Sequence, residues 1–178
     1  LMKPANGFVK LIDYNSDGKY DVVFVYSYQT MLVSEYHRDS DILYDKLNKN
    51  YKIDFSTAGL ICKVYNADGS IGNKDSLLHE LAVLSVAKSL EGDYIEIIRS
   101  TKVIKGAITE ITAGSSDYDF FLIDHKTYRL AKNSPIKINL NDEGVFYFDY
   151  DDRLIYLENK GENEYVYGYL LMAEKDKK

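Results

Sequence analysis

Oxygen-bearing side chains recur at alternating positions of one short segment near the start of the chain: Asp13, Asn15, Asp17 and Asp21. Calcium takes about six to eight hard oxygen ligands, and this spacing lets a tight loop direct several of them at one point. Gly18 supplies the sharp turn that such a loop needs, and Lys19 offers its backbone carbonyl. The segment therefore predicts one calcium site, with ligands from Asp13, Asn15, Asp17, Lys19 and Asp21.

The surroundings of this loop differ from those of an EF-hand. Phe24 stands where an EF-hand has its closing glutamate, and the flanking residues have the pattern of strands instead of helices. The loop resembles the calcium loops that lie in β-hairpins, as in the FG-GAP repeats of integrin-type propellers, where an Asp closes the site and an apolar strand follows at once. The run from Asp21 to Val25 has that form. The resemblance implies calcium binding but covers only the loop and its following strand, so it implies no propeller.

A simpler interpretation of the same residues is an Asx-rich hairpin turn whose remaining charges are solvated. Carboxylates held close together without a cation repel one another, which favours the metal site. We expect a dissociation constant on the order of 10⁻⁴ to 10⁻³ M, as in extracellular modules. At that affinity the ion would stay bound outside a cell and not inside one.

The remaining titratable residues form no recognisable catalytic pattern. The three histidines are isolated, and none has metal-ligand spacing to another: His37, His79 and His125. The acidic run from Asp149 to Asp152 lacks both alternation and glycine, so we interpret it as a hairpin turn. Other neighbouring aspartates are interpreted as ordinary loop charges: Asp39, Asp41, Asp117 and Asp119. We therefore expect a protein that is not an enzyme.

Alternating tyrosines near the end of the chain suggest a different function. Tyr165, Tyr167 and Tyr169 would line one face of a strand, and exposed aromatic rings are the usual platform for sugars. Tyrosine rows also stabilise sheets by cross-strand packing, and the chain has no Trp. A carbohydrate-binding module is therefore the alternative, and it depends on whether these rings are exposed together.

Short alternating segments bounded by turn residues are the elements that must position these side chains. They predict a mainly β fold, an antiparallel meander forming small barrels or a sandwich, with at most one short helix near Asp75 to Leu81. Asp21 to Tyr28 is apolar on both faces, which predicts a central, covered strand. Further strands are predicted at 31–36, 59–65, 81–89, 94–100, 103–112, 119–123, 135–140, 145–150, 154–158 and 164–172.

Composition limits the partners and the domain organisation. The 178 residues carry a formal net charge of -6, so there is no broad basic field for nucleic acid. No apolar run is long enough to span a bilayer as a helix. The length suits either one domain or two small β subdomains. If there are two, a break near 101–105 predicts an N-terminal β subdomain with the acidic loop at 1–104 and a C-terminal β subdomain at 105–178.

Over its whole length the chain resembles β-rich modules of secreted cell-wall and surface-layer-associated proteins of Gram-positive bacteria. The segments that carry the resemblance are Lys10 to Val25, Glu80 to Ser89, Lys105 to Ile111, Ile123 to Leu130 and Val145 to Asp149. The resemblance implies a place at the cell surface, with other domains of a larger surface protein or cell-wall components as partners. It implies no catalytic residues. The sequence thus predicts a non-catalytic extracellular structural or interaction module.

Overall fold

The structure is a computed structural model that describes residues 4–114, 117–132 and 134–159. Within these residues the chain forms strands joined by turns and a single short 3-10 helix at Lys74–Leu77. The strands are β1 (Gly7–Ile12), β2 (Val22–Ser27), β3 (Gln29–His37), β4 (Ile42–Asp45), β5 (Lys52–Asp54), β6 (Ile61–Asn66), β7 (Val83–Lys88), β8 (Tyr94–Ser100), β9 (Val103–Thr112), β10 (Tyr118–Ile123), β11 (Lys126–Ala131), β12 (Glu143–Phe148) and β13 (Leu154–Asn159). The predicted mainly β class is confirmed.

The first large sheet has six strands in the order β5-β4-β3-β7-β8-β6. All neighbours in it are antiparallel except β6 and β8, which are parallel. A parallel pair cannot be joined by a tight hairpin, so the chain must cross over between these strands. The 3-10 helix lies in this crossover, where the side chain of Asn73 caps it by accepting a hydrogen bond from the amide of Ser76 at 2.9 Å. The helical turn predicted near Asp75 to Leu81 is therefore present, but it is a 3-10 turn that ends at Leu77.

The second large sheet has five antiparallel strands in the order β11-β10-β9-β12-β13. Tight hairpins join β10 to β11 and β12 to β13, as expected for a meander. An isolated bridge between Arg129 and Arg153 brings the two edge strands together at one end. Among the described residues, however, none of the sheets closes into a barrel, so of the two predicted forms the sheets are consistent with a sandwich and not with a barrel.

Each large sheet has its own apolar core. One cluster draws on β3 to β8 and includes Met31, Leu43, Leu84 and Ile97. The other draws on β9 to β13 and is mostly aromatic, with Phe121, Phe146 and Phe148 fully buried. The division at residue 104 itself stays a prediction.

The strand predicted at 135–140 is wrong. Ile136 and Ile138 do pack against the second core, so the apolar alternation is real. The backbone of this segment joins no sheet and instead bonds locally, with the Ile136 amide donating to Ser134 Oγ and the Asn139 amide to Asp142 Oδ2. Alternation of apolar residues indicates which side chains face the core. It does not show whether the backbone pairs with a neighbouring strand.

The prediction that Asp21 to Tyr28 forms a central, covered strand is also wrong. Its strand, β2, belongs to a two-stranded sheet with β1 as its only neighbour within the described chain. Val23, Phe24 and Val25 are 40%, 43% and 50% exposed, and only Tyr28, at the base, is buried at 5%. Apolar residues on both faces of a strand usually indicate cover on both sides, but here three of them are exposed on a two-stranded hairpin and only Val22 and Tyr26 are half-buried.

Candidate functional site

The β1–β2 hairpin presents the acidic loop at its tip. The strands pair in antiparallel register from Gly7 opposite Ser27 to Ile12 opposite Val22. Beyond that last pair the amide of Asp21 donates to the carbonyl of Ile12 at 2.8 Å, which closes the loop at its neck. The predicted ligand residues therefore lie together, exposed or partly exposed, at the end of the hairpin.

Inside the loop each aspartate accepts hydrogen bonds from the backbone. Asp13 accepts through Oδ1 from the Ser16 amide at 2.7 Å and through Oδ2 from the Gly18 amide at 2.9 Å. Asp21 Oδ2 accepts from the Tyr14 amide at 2.7 Å. These three bonds span three, five and seven residues, so they close the loop across its width, as the simpler interpretation as a hairpin turn requires.

The middle of the loop is held in the same way. Asp17 Oδ1 accepts from the Lys19 amide at 2.8 Å, and Asn15 Oδ1 accepts from the Asp17 amide at 3.0 Å. Gly18 has φ of +83°, a left-handed conformation that a residue without Cβ adopts at no cost. The loop is therefore built from its own side chains and one essential glycine.

No cation compensates the charge of this loop within the described residues. Asp13, Asp17 and Asp21 form no ion pair there, although Lys10 and Lys19 are close in sequence. In the same residues the side chains do not converge into a group of three or more metal-ligating His, Cys, Asp or Glu. The donors are nevertheless hard oxygens, the class that calcium prefers. The set fits a calcium ion in its chemistry.

A buried tyrosine fixes the base of the hairpin to the body of the protein. The hydroxyl of Tyr28 donates to Glu96 Oε1 at 2.6 Å, and its ring meets that of Tyr150 edge-on with centroids 5.5 Å apart. Burial raises the pKa of the Tyr28 phenol, and the bond to Glu96 raises it further, so the hydroxyl remains a donor. Sequence reasoning missed this anchor because Tyr28 and Glu96 are far apart along the chain and neither belongs to a motif.

The acidic run from Asp149 to Asp152 is confirmed as the hairpin turn between β12 and β13. Each of the three aspartates in this turn has a basic partner. Asp149 pairs with Arg153, Asp151 with Arg129 at 2.9 Å, and Asp152 with Lys102 at 2.6 Å. Asp149 also accepts from the amides of Asp151 and Arg153. Its carboxylate holds the turn together.

The other single charges are held in local contacts. Asp119 pairs with Lys132 at 3.0 Å. Asp41 is more than an ordinary loop charge, because it accepts from Tyr36 at 2.5 Å and pairs with Lys74 of the 3-10 helix. The hydrogen bonds from Lys74 and Tyr36 hold the pKa of the Asp41 carboxyl below its usual value.

The histidines do not come together in the structure. His37 Nε2 lies 3.1 Å from Glu35 Oε1, and the His37 ring packs against that of Tyr44 in a tilted arrangement. His79 lies in the segment after the 3-10 helix, and His125 occupies the β10–β11 turn with a left-handed backbone. Tyr165, Tyr167 and Tyr169 lie outside the described residues.

No protein-family model matches the chain, and comparison with curated protein sequences finds no match. Within the described residues no helix is long and apolar enough to cross a membrane. The case for a function therefore depends on the geometry of the chain itself.

Proposed function

We propose that this chain is a non-catalytic structural or interaction module of the cell envelope, in which one calcium ion stabilises the first hairpin. The observation that carries the proposal is the loop at the hairpin tip. It places three carboxylates in one loop, with no compensating basic side chain among the described residues. Carboxylates so placed favour binding of a cation.

The donor set supports calcium over a transition metal. Asp13, Asn15, Asp17 and Asp21 would contribute side-chain oxygens, and Lys19 its carbonyl. The aspartate oxygens that bond to backbone amides each accept one bond, and a carboxylate offers about four lone-pair sites. Acceptor capacity therefore remains for an ion. When bound, calcium would neutralise the repulsion among the carboxylates and hold the loop in one conformation.

The placement of charged side chains supports a structural role over a catalytic one. The buried carboxylate of Asp149 is committed to Arg153 and to the turn, and Asp41 is committed to Lys74 and Tyr36. Catalytic acids and bases need a pKa matched to the reaction and access to a substrate. Groups held in ion pairs of this kind stabilise local structure instead.

An extracellular location agrees with the affinity expected for this loop. A site with a dissociation constant on the order of 10⁻⁴ to 10⁻³ M is filled outside a cell, where calcium is abundant, and empty inside one. The likeness of the chain to surface-layer-associated modules points the same way. Its partners would be other domains of a larger surface protein or components of the cell wall.

Calorimetric titration of the metal-free protein tests the calcium site directly. We expect one calcium ion per chain for the parent protein and for Asp152→Asn, with no measurable binding to Asp17→Asn. The two variants make the same chemical change in two acidic turns, so the comparison separates a specific site from general attraction of cations. Equal heats for all three proteins, or an equal response to magnesium, would contradict the proposal.

A further inference from the structure

A cavity of about 180 Å³ lies where the chain passes from the first large sheet to the second. It is formed where β7 begins, β8 ends and β9 begins, with β12 beside β9. Its titratable lining residues are His79, Glu80, Arg99, Lys102 and Tyr147. The volume is below the roughly 300 to 1,000 Å³ of sites for drug-sized molecules. The cavity therefore suits a small ligand that is recognised by charge.

Arg99 gives this cavity a cation without a partner. It lies opposite the fully buried Leu84 in the β7–β8 ladder, so the stem of its side chain runs beside the first core. Its Nε is buried without a hydrogen-bond acceptor, and its side chain forms no ion pair with any described residue. A buried donor left in this way in a native fold indicates water or a ligand. A guanidinium binds carboxylate or phosphate oxygens through two parallel hydrogen bonds.

Glu80 lines the same cavity, and it too has no basic partner among the described residues. Burial raises the pKa of the Tyr147 phenol, and nearby charges that include Glu80 raise it further, which places Glu80 on the Tyr147 side. Lys102 is already paired with Asp152 at 2.6 Å. A bare anion at Arg99 would therefore be repelled by Glu80, most strongly if it were a doubly charged phosphate. A ligand that also carries an ammonium group would be attracted by both side chains.

The backbone that carries Glu80 is held in place by the first sheet. Leu81 has φ of +63°, a left-handed conformation that is uncommon for a bulky residue. Its amide donates to the carbonyl of Val33 at 2.9 Å, and the amide of Val33 donates to the carbonyl of Ala82 at 3.0 Å. Backbone strain of this kind persists only where the surroundings enforce it, and it clusters at ligand sites. The wall of the cavity is therefore formed before a ligand binds.

We propose that this cavity binds a small zwitterion, whose carboxylate contacts Arg99 and whose ammonium group contacts Glu80, as an amino acid would allow. Each charge of the ligand meets the opposite charge in the cavity, and neither side chain has to leave another ion pair to bind it. The inference goes beyond the proposed function, because the cavity shares no residue with the calcium loop.

Titration of the full chain with alanine, followed by amide chemical shifts, tests the inference. Propionate is alanine without its ammonium group, and ethylamine is alanine without its carboxylate, so the two compounds are matched controls. We expect alanine to shift the amides of residues 79–83 and 99–103 with a millimolar dissociation constant. Propionate and ethylamine should each bind at least tenfold more weakly.

Two substitutions separate the two contacts. Glu80→Gln should weaken alanine at least tenfold and strengthen propionate, because it removes both the attraction and the repulsion. Arg99→Met should abolish binding of alanine and of propionate. If Arg99→Met unfolds, Arg99→Lys keeps the charge without the planar fork and should weaken alanine at least fivefold. Glu91→Gln repeats the change of Glu80→Gln in the turn at the far end of β7 and β8, and it should leave alanine binding unchanged.

No binding of alanine by the parent protein would overturn the inference, since the cavity would then hold only water. Propionate that binds as tightly as alanine would also overturn it, because Glu80 would take no part. The same holds if Glu80→Gln and Arg99→Met lower the stability equally without any alanine binding, which would show that the two side chains pair with each other. Calcium binding should be unchanged in Arg99→Met, so either proposal can fail without the other.

Discussion

Two acidic turns of this protein use similar residues in opposite ways. In the β12–β13 turn, Asp149, Asp151 and Asp152 each face a basic side chain, and the Asp149 carboxylate is fully buried. In the β1–β2 loop, Asp13, Asp17 and Asp21 bond only to backbone amides and to Asn15 among the described residues. The first turn is stabilised by charges that the fold supplies, whereas the second has no basic partner among the described residues.

The difference arises from where each turn lies. The β12–β13 turn packs against β9 and β11, which bring Lys102 and Arg129 within reach. The β1–β2 loop lies at the end of a hairpin whose strands touch the body mainly at the base, through Tyr28. Sequence composition alone therefore does not decide whether an acidic turn is structural or available for a ligand.

Breaking the buried ion pair should have the largest effect. Arg153→Met would leave the Asp149 carboxylate buried without its cation, although its backbone hydrogen bonds would remain. Removing one partner of a buried pair costs about 3 to 5 kcal/mol. We expect the free energy of unfolding in urea to fall by this amount at neutral pH. A loss below about 1 kcal/mol, the value of an exposed pair, would contradict the contrast between the two turns.

A smaller, pH-dependent effect is expected at Asp41, which has its basic partner on another segment. Its folded pKa lies below the ordinary 3.8 because of hydrogen bonds from Lys74 and Tyr36. The stability it contributes is therefore present above the unfolded pKa and is lost as the pH falls through the folded one. Asp41→Asn should cost about 1 kcal/mol at pH 7, and the gap between variant and parent should close on acidification below about pH 4. If the difference in unfolding free energy between variant and parent did not change with pH, the ionised carboxylate of Asp41 would not be the source of the stability.

The smallest effect is expected at Asp152, on the exposed side of the compensated turn. Its side chain is 51% exposed and its pair with Lys102 is open to solvent. Asp152→Asn should change the free energy of unfolding by less than about 1 kcal/mol. Urea unfolding at low and high salt checks this, since a surface pair weakens as salt rises. A large loss would mean that this carboxylate is as essential to the turn as Asp149.

The sequence predicted the class of fold better than the arrangement of its strands. The bounds of β8 and β9 match the predicted 94–100 and 103–112, because each has clear alternation between turn residues. The short strands β4 and β5 were not predicted, since Ile42–Asp45 and Lys52–Asp54 are too brief to show a period. The exposed position of β2 was also beyond prediction, because cover depends on the neighbours of a strand and not on its own residues.

The position of the candidate loop could be predicted from the sequence, whereas the partners of the other charged residues could not. Residues of the Asp13 to Asp21 loop are neighbours in sequence, so their spacing indicated one local cluster. The partners of Asp41, Asp149 and Tyr28 come from distant segments, and no spacing along the chain reveals them. That the first loop has no basic partner among the described residues is likewise visible only once the fold has placed Lys102, Arg129 and Arg153 elsewhere.

Thermal unfolding with and without calcium tests the central claim most directly, because a ligand of the native state must raise its stability. At about 10 mM calcium the expected gain is about 1 to 3 kcal/mol, or roughly 3 to 10 °C for a chain of this size. The parent protein and Asp152→Asn should both show the rise, and Asp17→Asn should not. The same rise in Asp17→Asn, or no rise in the parent, would show that the loop is only a turn.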